Sequence, residues 1–278
     1  MRGKIVVVTG ATAGIGRVAC ERLAAMGASL VLVARDRTRA ETLAAELMRA
    51  GSPHVGVHVA DLSQLAEVRR VAVELAALPA IDVLLNNAGA IFNRRAQTAD
   101  GFERTFALNH LAYFALTNLL RDRLKASASA RVVNVASEAH RGAALAFDDL
   151  QTMRGYSGWL AYKRSKLCNI LFTRALARRL AGSGITANAL HPGFVATNFG
   201  NNNSGVFRFG LGVAKRFMAI PPADGAKTPV YLVSAPEVAA LSGLYFDKCA
   251  VREPSAAAQD DESAERLWHE SARMTGVG

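Results

Sequence analysis

Apolar and polar positions alternate along this chain on two length scales. Short, almost wholly apolar runs recur at residues 5–8 (IVVV), 30–34 (LVLVA), 55–60, 81–86, 131–136, 185–190 and 242–246. Runs this short and this continuously apolar read as strands covered on both faces. Between them lie longer segments with apolar residues at helical spacing, over 38–49, 64–77, 102–125, 158–181 and 223–235. Sustained strand–helix alternation predicts a parallel sheet with right-handed crossovers and helices on both faces. The rhythm breaks at 193–222, which is rich in Gly, Asn and Phe and reads as a lobe over the sheet edge. Residues 252–262 read as an exposed connection before a last helix near 263–273. No linker-like composition shift or repeat divides the chain, so 1–278 reads as a single domain of about seven strands.

Composition changes this picture little. The 278 residues are 51% apolar and 20% charged, with a formal net charge of +10. A basic balance suits an anionic ligand, nucleic acid or an anionic surface. The sequence has no aromatic-interleaved basic stripe and no zinc-finger or helix-turn-helix pattern, so nucleic acid is not expected as a partner. Cys20, Cys168 and Cys249 are widely spaced and fit neither a disulfide framework nor a metal site; no metal is expected. The first apolar run is too short for a signal peptide, and no stretch is long enough to span a membrane. A cytoplasmic protein without an integral membrane segment is therefore expected.

Chemistry first appears where the first strand meets Thr9-Gly10-Ala11-Thr12-Ala13-Gly14-Ile15-Gly16. Glycines allow a tight turn and close approach to a pyrophosphate, and the following helix aims its free N–H groups at the anion. A plain glycine turn is the other reading, and the placement between strand and helix favours the cradle. This gives a Rossmann-like, doubly wound α/β fold as the expected class, with Gly10, Thr12, Gly14, Ile15 and Gly16 at the phosphates. At the end of the second strand an acid would select the ribose hydroxyl of NAD. Ala34-Arg35 stands there instead, and Arg35 suits the 2′-phosphate of NADP(H), favouring it over NAD(H). Asp36, one residue on, argues the other way if the register is displaced. Asp61-Leu62 ends the third strand at the expected adenine edge. Asn87, Ala88 and Gly89 end the fourth, where small residues let the chain pass beneath a cofactor; Asn87 reads equally well as a turn residue.

Tyr162 and Lys166 stand at i and i+4, on one face of a long helix. Reducing a carbonyl needs a proton donor, and oxidising an alcohol needs a base. An ordinary tyrosine titrates near ~10, and lowering it by ~3 units takes roughly 4 kcal/mol. One cation about 4 Å away at an effective dielectric of ~20 supplies that order of energy. Ser137 follows the fifth strand and is placed to hold a carbonyl oxygen. Asn109, in a neighbouring helix, is placed to hold a water between Lys166 and solvent. Singly these read as a turn, a polar helix residue and an exposed pair; together, behind a phosphate cradle, they read as a hydride-transfer site.

TGATAGIG, NNAG, Asn109, Ser137 and YKRSK together resemble the short-chain dehydrogenase/reductase family, across essentially the whole chain. VVNVASEAH, FDDL, AYKRSKLCNILFTRALARRL, LHPGFVATN, SGLYF and RLWHES are similar to its retinol dehydrogenase-like branch, which includes the WW-domain-containing oxidoreductases. The resemblance implies Tyr162 as acid/base, Lys166 on the nicotinamide ribose and tuning Tyr162, Ser137 as substrate orienter and Asn109 in a proton relay. It also implies that Pro192, Gly193, Val195 and Thr197 frame the nicotinamide, and it supports NADP. Neither the hydrophobic anchor of the membrane-bound retinol dehydrogenases nor a WW domain precedes the first strand, which argues against membrane association.

The lobe offers Phe194, Phe199, Phe207, Phe209 and Phe217, and Ile91, Phe92 and Leu145 follow the strands. They suggest an apolar pocket for a bulky aldehyde, ketone or alcohol, a hydrophobic small-molecule carbonyl/alcohol substrate, or simply packing of the lobe. An NAD(P)-dependent epimerase or dehydratase would also use a Tyr–x–x–x–Lys pair, usually with a longer C-terminal part than the residues after Gly193 provide. A non-catalytic dinucleotide-binding regulator or redox sensor would typically lose Tyr162 or Lys166. Apolar residues on more than one face of 102–125 and 158–181 suggest a homo-oligomer, although core burial accounts for the same residues.

Overall fold

The computed structural model describes residues 1–193 and 221–278. The first half alternates β1 (Ile5–Thr9), α1 (Gly14–Ala25), β2 (Ser29–Ala34), α2 (Arg37–Arg49), β3 (Val55–Val59), α3 (Leu65–Leu75) and β4 (Val83–Asn86). A broken helix follows: α4 (Arg104–Phe106), a π segment (Ala107–Leu111), α5 (Ala112–Leu119) and α6 (Arg121–Lys125). Next come β5 (Arg131–Val135), a 3₁₀ turn (Glu138–His140), α7 (Gly158–Arg179) and β6 (Thr186–His191). The C-terminal part holds α8 (Pro222–Gly225), α9 (Lys227–Ser234), β7 (Tyr245–Asp247), β8 (Ala250–Arg252) and α10 (Asp261–Thr275).

The strands form one sheet in the order β3-β2-β1-β4-β5-β6-β7-β8. All neighbours are parallel except β7 and β8. Among the described residues the sheet therefore has eight strands where about seven were expected. The extra one is a three-residue antiparallel return whose side chains are all exposed, so it lacks the apolar run that marks the others.

Alternating strand residues explain the continuously apolar strands. Val7, Val31, Val33, Leu84 and Val132 face one core with α3, α5, α7 and α10. Val6, Val8, Leu30, Leu32, Leu85 and Val133 face the other with α1, α2 and α9. Each face is thus shielded from water by a helical layer, the condition for a parallel sheet. The chain leaves β1 toward β2 and β3 and returns to β4 on the other side. Such a switch point opens a crevice at the carboxyl ends of the strands.

The helix expected over 102–125 is interrupted. The π segment holds Asn109, wholly buried, with its side chain tied to the backbone of Ala90. Hydrophobic spacing does not encode such a bulge, since both forms present apolar residues to the same core.

Candidate active site at the carboxyl edge of the sheet

The β1–α1 turn is locked by a threonine and an asparagine. The Thr9 hydroxyl accepts the main-chain N–H groups of Asn87 (2.9 Å) and Ala88 (3.0 Å). Asn87 Nδ2 donates to the Thr9 carbonyl at 2.9 Å and to the Gly10 carbonyl at 3.2 Å. Gly10 has φ +67°, and a Cβ there would lie 2.8 Å from the Ala88 Cα. A Cβ on Gly16 would lie 2.4 Å from the Gly10 oxygen and 2.6 Å from Asn87 Nδ2. Only glycine fits either place, so the turn and the end of β4 form one packed unit.

Helix α1 opens on Ala13 with no side-chain cap and no acid in its first turn. Its leading N–H groups and positive dipole end are left for an external acceptor, which fits a dinucleotide pyrophosphate. Thr12 and Ile15 border that turn, half-buried. At the end of β2, Arg35 is exposed and makes no ion pair among the described residues. Asp36 is engaged elsewhere: its carboxylate accepts the Arg39 N–H at 3.0 Å and caps α2. Asp61 Oδ1 accepts the N–H and hydroxyl of Ser63, and Leu62 beside it is buried. Asn87 and Ala88 are half-buried and Gly89 is exposed, forming a floor at the crevice.

Tyr162 and Lys166 are both buried in α7, whose first turn is capped by Ser157. The start of α7 is pressed onto the loop after β4: a Cβ on Gly158 would lie 2.3 Å from the Phe92 oxygen. Ser137 hydrogen-bonds Tyr162, which favours the phenolate, but burial dominates and pushes the phenol up to about 12. Burial likewise pushes Lys166 down to about 7. Its ammonium lies 5.7 Å from the Tyr162 ring centre and donates to the Val135 carbonyl at 2.8 Å. Burial thus displaces both groups toward their neutral forms, Tyr162 upward and Lys166 downward.

Asn109 completes the group. Its Oδ1 accepts the Ala90 N–H at 2.9 Å. Its Nδ2 donates to the Ala90 carbonyl at 2.9 Å and to Ser165 Oγ at 3.0 Å. A carboxamide has four such positions, so among the described residues one lone pair on Oδ1 is left over. A Cβ on Gly89 would lie 3.2 Å from that oxygen and 3.5 Å from Lys166 Nζ, so both atoms border the same crevice floor.

Two histidines support the Ser137 turn. His140 Nε2 accepts the Ser255 N–H at 3.1 Å, which leaves Nδ1 to donate to the Ser137 carbonyl at 2.7 Å. His191 Nδ1 accepts the Glu138 N–H at 3.1 Å. Pro192 and Gly193 follow β6, with Gly193 at φ +88°. Val195, Thr197 and the lobe aromatics from Phe194 to Phe217 lie outside the described residues.

Sequence reasoning missed the polar layer behind this group. Asn86 Nδ2 donates to Asn134 Oδ1 (2.9 Å) and Thr117 Oγ1 (3.0 Å), and Asn134 Nδ2 donates to Thr173 Oγ1 (2.9 Å), all buried. Asn86 and Asn134 are direct partners across β4 and β5. One polar residue at the same level of two neighbouring apolar strands was the available signal.

The short chain dehydrogenase family model matches residues 4–205. Human retinol dehydrogenase 14 is 41% identical over 298 residues, spanning all of this chain and 88% of that protein. A solved structure of an uncharacterized protein from Mycobacterium paratuberculosis is similar at 35% identity and a TM-score of 0.81, covering 99% of this chain and 94% of that one. The RhlG/NADP active-site complex of Pseudomonas aeruginosa is similar at 26% identity and a TM-score of 0.70, over 88% and 94% of the two chains. Fold, crevice and relatives together define an oxidoreductase of CH–OH and C=O groups built on a nicotinamide dinucleotide fold. The chain belongs to the short-chain dehydrogenase family, in its retinol dehydrogenase-like branch.

Proposed function

We propose that this protein is an NADP(H)-dependent enzyme that interconverts a bulky apolar alcohol and its aldehyde or ketone, with Tyr162 as the general acid/base. One observation carries the reading. Tyr162, Lys166, Ser137 and Asn109 come from three elements, yet Ser137 reaches Tyr162, and Asn109 and Lys166 border Gly89, whose neighbours Asn87 and Ala88 pack on the glycine turn. The bound cofactor supplies or accepts the hydride. Ser137 holds the carbonyl oxygen, and Tyr162, protonated at neutral pH, donates to it as alkoxide charge develops. In the reverse direction the Tyr162 phenolate, stabilised by charged Lys166, takes the alcohol proton, which then passes outward by way of Lys166 and past Asn109. Pro192, Gly193, Val195 and Thr197 are assigned to the nicotinamide end.

Support for NADP is local. Asp36 is committed to capping α2, which leaves exposed Arg35 as the side chain free to pair with a 2′-phosphate. Support for an apolar substrate comes from Trp159. This half-exposed ring stacks on Tyr162 at 5.8 Å between centres and 27° between planes. A panel of carbonyls and alcohols assayed with NADPH/NADP and NADH/NAD tests both points. Bulky apolar carbonyls should exceed small charged ones in kcat/KM. Arg35→Ala should raise KM for NADPH roughly tenfold, the order of a lost charge-assisted hydrogen bond, with little effect on NADH. Unchanged NADPH affinity in Arg35→Ala would remove the basis for the cofactor assignment.

A further inference from the structure

Lys166 is buried under another aromatic ring besides that of Tyr162. Its Nζ lies 5.8 Å from the ring centre of Tyr113 and 5.7 Å from that of Tyr162. Tyr113 stands on α5, one turn beyond Asn109, and is 1% exposed. Its hydroxyl is buried and finds no hydrogen-bond partner among the described residues. Buried hydroxyls are almost always paired, by protein or by an ordered water. The Tyr113 ring lies beside the Lys166 ammonium, and its hydroxyl is near enough to Tyr162 for the two phenols to feel each other's charge. Among the described residues Lys166 in turn has a single acceptor, the Val135 carbonyl, for three N–H donors.

We propose that Tyr113 is a positioning residue for Lys166: its ring face supports the ammonium, and its hydroxyl anchors a buried water that bonds the ammonium on the side away from Val135. This inference rests on the reading of Tyr162 and Lys166 as the acid/base pair. An ammonium held between two rings is favoured by their quadrupoles, and more so where water is excluded. A water accepting one of its N–H groups favours the charged form again. Both effects offset the burial that lowers the Lys166 pKa. A charged Lys166 is what makes the Tyr162 phenolate accessible, so Tyr113 acts on the reaction through Lys166.

The groups facing Lys166 are few. Tyr162 shares its helix, with Asn169 beside it on the same Val135 carbonyl. Tyr113 and Asn109 face it from the α5 side, and β5 contributes the Val135 carbonyl. His110 is turned toward Ser271. Among the described residues no acidic side chain adds to the burial effect on Lys166. Tyr113 is therefore the main adjustable influence on the ammonium apart from Tyr162.

The test is the pH profile of kcat for alcohol oxidation in the wild type, Tyr113→Phe and Tyr113→Leu. Losing support for the ammonium lets Lys166 shed its proton at lower pH and weakens its pull on Tyr162. The acid limb should then move to higher pH, by about half a unit in Tyr113→Phe, which keeps the ring, and by about one unit in Tyr113→Leu. KM for the cofactor should stay within about twofold. Lower kcat with an unshifted limb in Tyr113→Phe, whatever its thermal stability, overturns the proposal, because a packing role does not select a titration. Inactivity of Tyr162→Phe in the same assay separates this outcome from a failure of the acid/base reading itself.

Discussion

Tyr162 and Lys166 are displaced by burial in opposite directions, and each displacement favours the neutral form. Tyr162, pushed up to about 12, holds its proton across the physiological range and is a ready donor to a carbonyl. Lys166, pushed down to about 7, is partly discharged near neutrality until something supports its charge. The two directions of the reaction should therefore respond differently to pH. Reductive kcat should hold from about pH 6 to well above 8, because a phenol at about 12 begins to ionise only within about two units of that value. Oxidative kcat should rise through the same interval as the phenolate becomes accessible. Steady-state rates in both directions with one substrate pair check this; parallel profiles would contradict it. Ser137 and Asn109 could be singled out as candidate site residues from their order behind the glycine turn. The division of labour within Asn109 was not legible: that depends on the Ala90 backbone, which no local pattern reveals.

At the scale of elements, α10 is docked on α7 by charge as well as by packing. Arg174 and Arg178 pair with Asp261, and Arg178 and Arg179 pair with Glu265. The Arg179 guanidinium also lies 4.1 Å from the Trp268 ring centre. The two arginines hold the Glu265 carboxyl down at about 2. Its contribution is present above the ordinary carboxylate pKa and is lost as pH falls from there toward 2. The glutamate is 40% exposed, so solvent screening keeps the pair to about 0.5 kcal/mol. Glu265→Gln should lower Tm by about 1–2 °C at neutral pH. The difference should vanish near pH 2 or in about 1 M salt, as thermal melts of both proteins would show. A difference that persists in high salt would assign Glu265 to packing instead.

The same scale shows why the sequence was easy to read in some places and silent in others. Strands β1, β2, β4 and β5 were evident because both faces are covered, leaving few polar positions within them. β8 was silent because Ala250, Val251 and Arg252 are held by pairing to β7 alone. The break at Ala107–Leu111 was silent because a π segment and an α-helix bury the same side chains.

Across the whole molecule, the core on the α7 side closes over a histidine. His110 is buried among Phe106, Phe114 and Phe172, with Nε2 at 2.8 Å from the Ser271 hydroxyl on α10. Burial pushes it down to about 3, so it is neutral in the folded protein. Between its ordinary pKa of about 6.5 and that value the unfolded chain binds a proton that the folded chain refuses. Stability should therefore fall as pH falls through this window, because unfolding releases His110 to be charged. Carboxylates add to the slope at its lower end, so the informative quantity is the comparison with His110→Gln. Urea midpoints at about pH 7, 5.5 and 4 should decline more steeply for the wild type than for the variant. Parallel lines would place the acid sensitivity elsewhere. This site joins the π segment beside Asn109 to the C-terminal helix, so α10 and the crevice share one support.

Tyr162 is the proposed proton donor and acceptor of the hydride-transfer site. Following cofactor absorbance during reduction of an apolar carbonyl by the wild type and by Tyr162→Phe tests this most directly. The wild type should turn over. Tyr162→Phe should retain cofactor binding, because the glycine turn and Arg35 are untouched, and lose about 10²–10⁴ in kcat, the range for removing a general acid/base. Near-wild-type turnover by Tyr162→Phe would contradict the account.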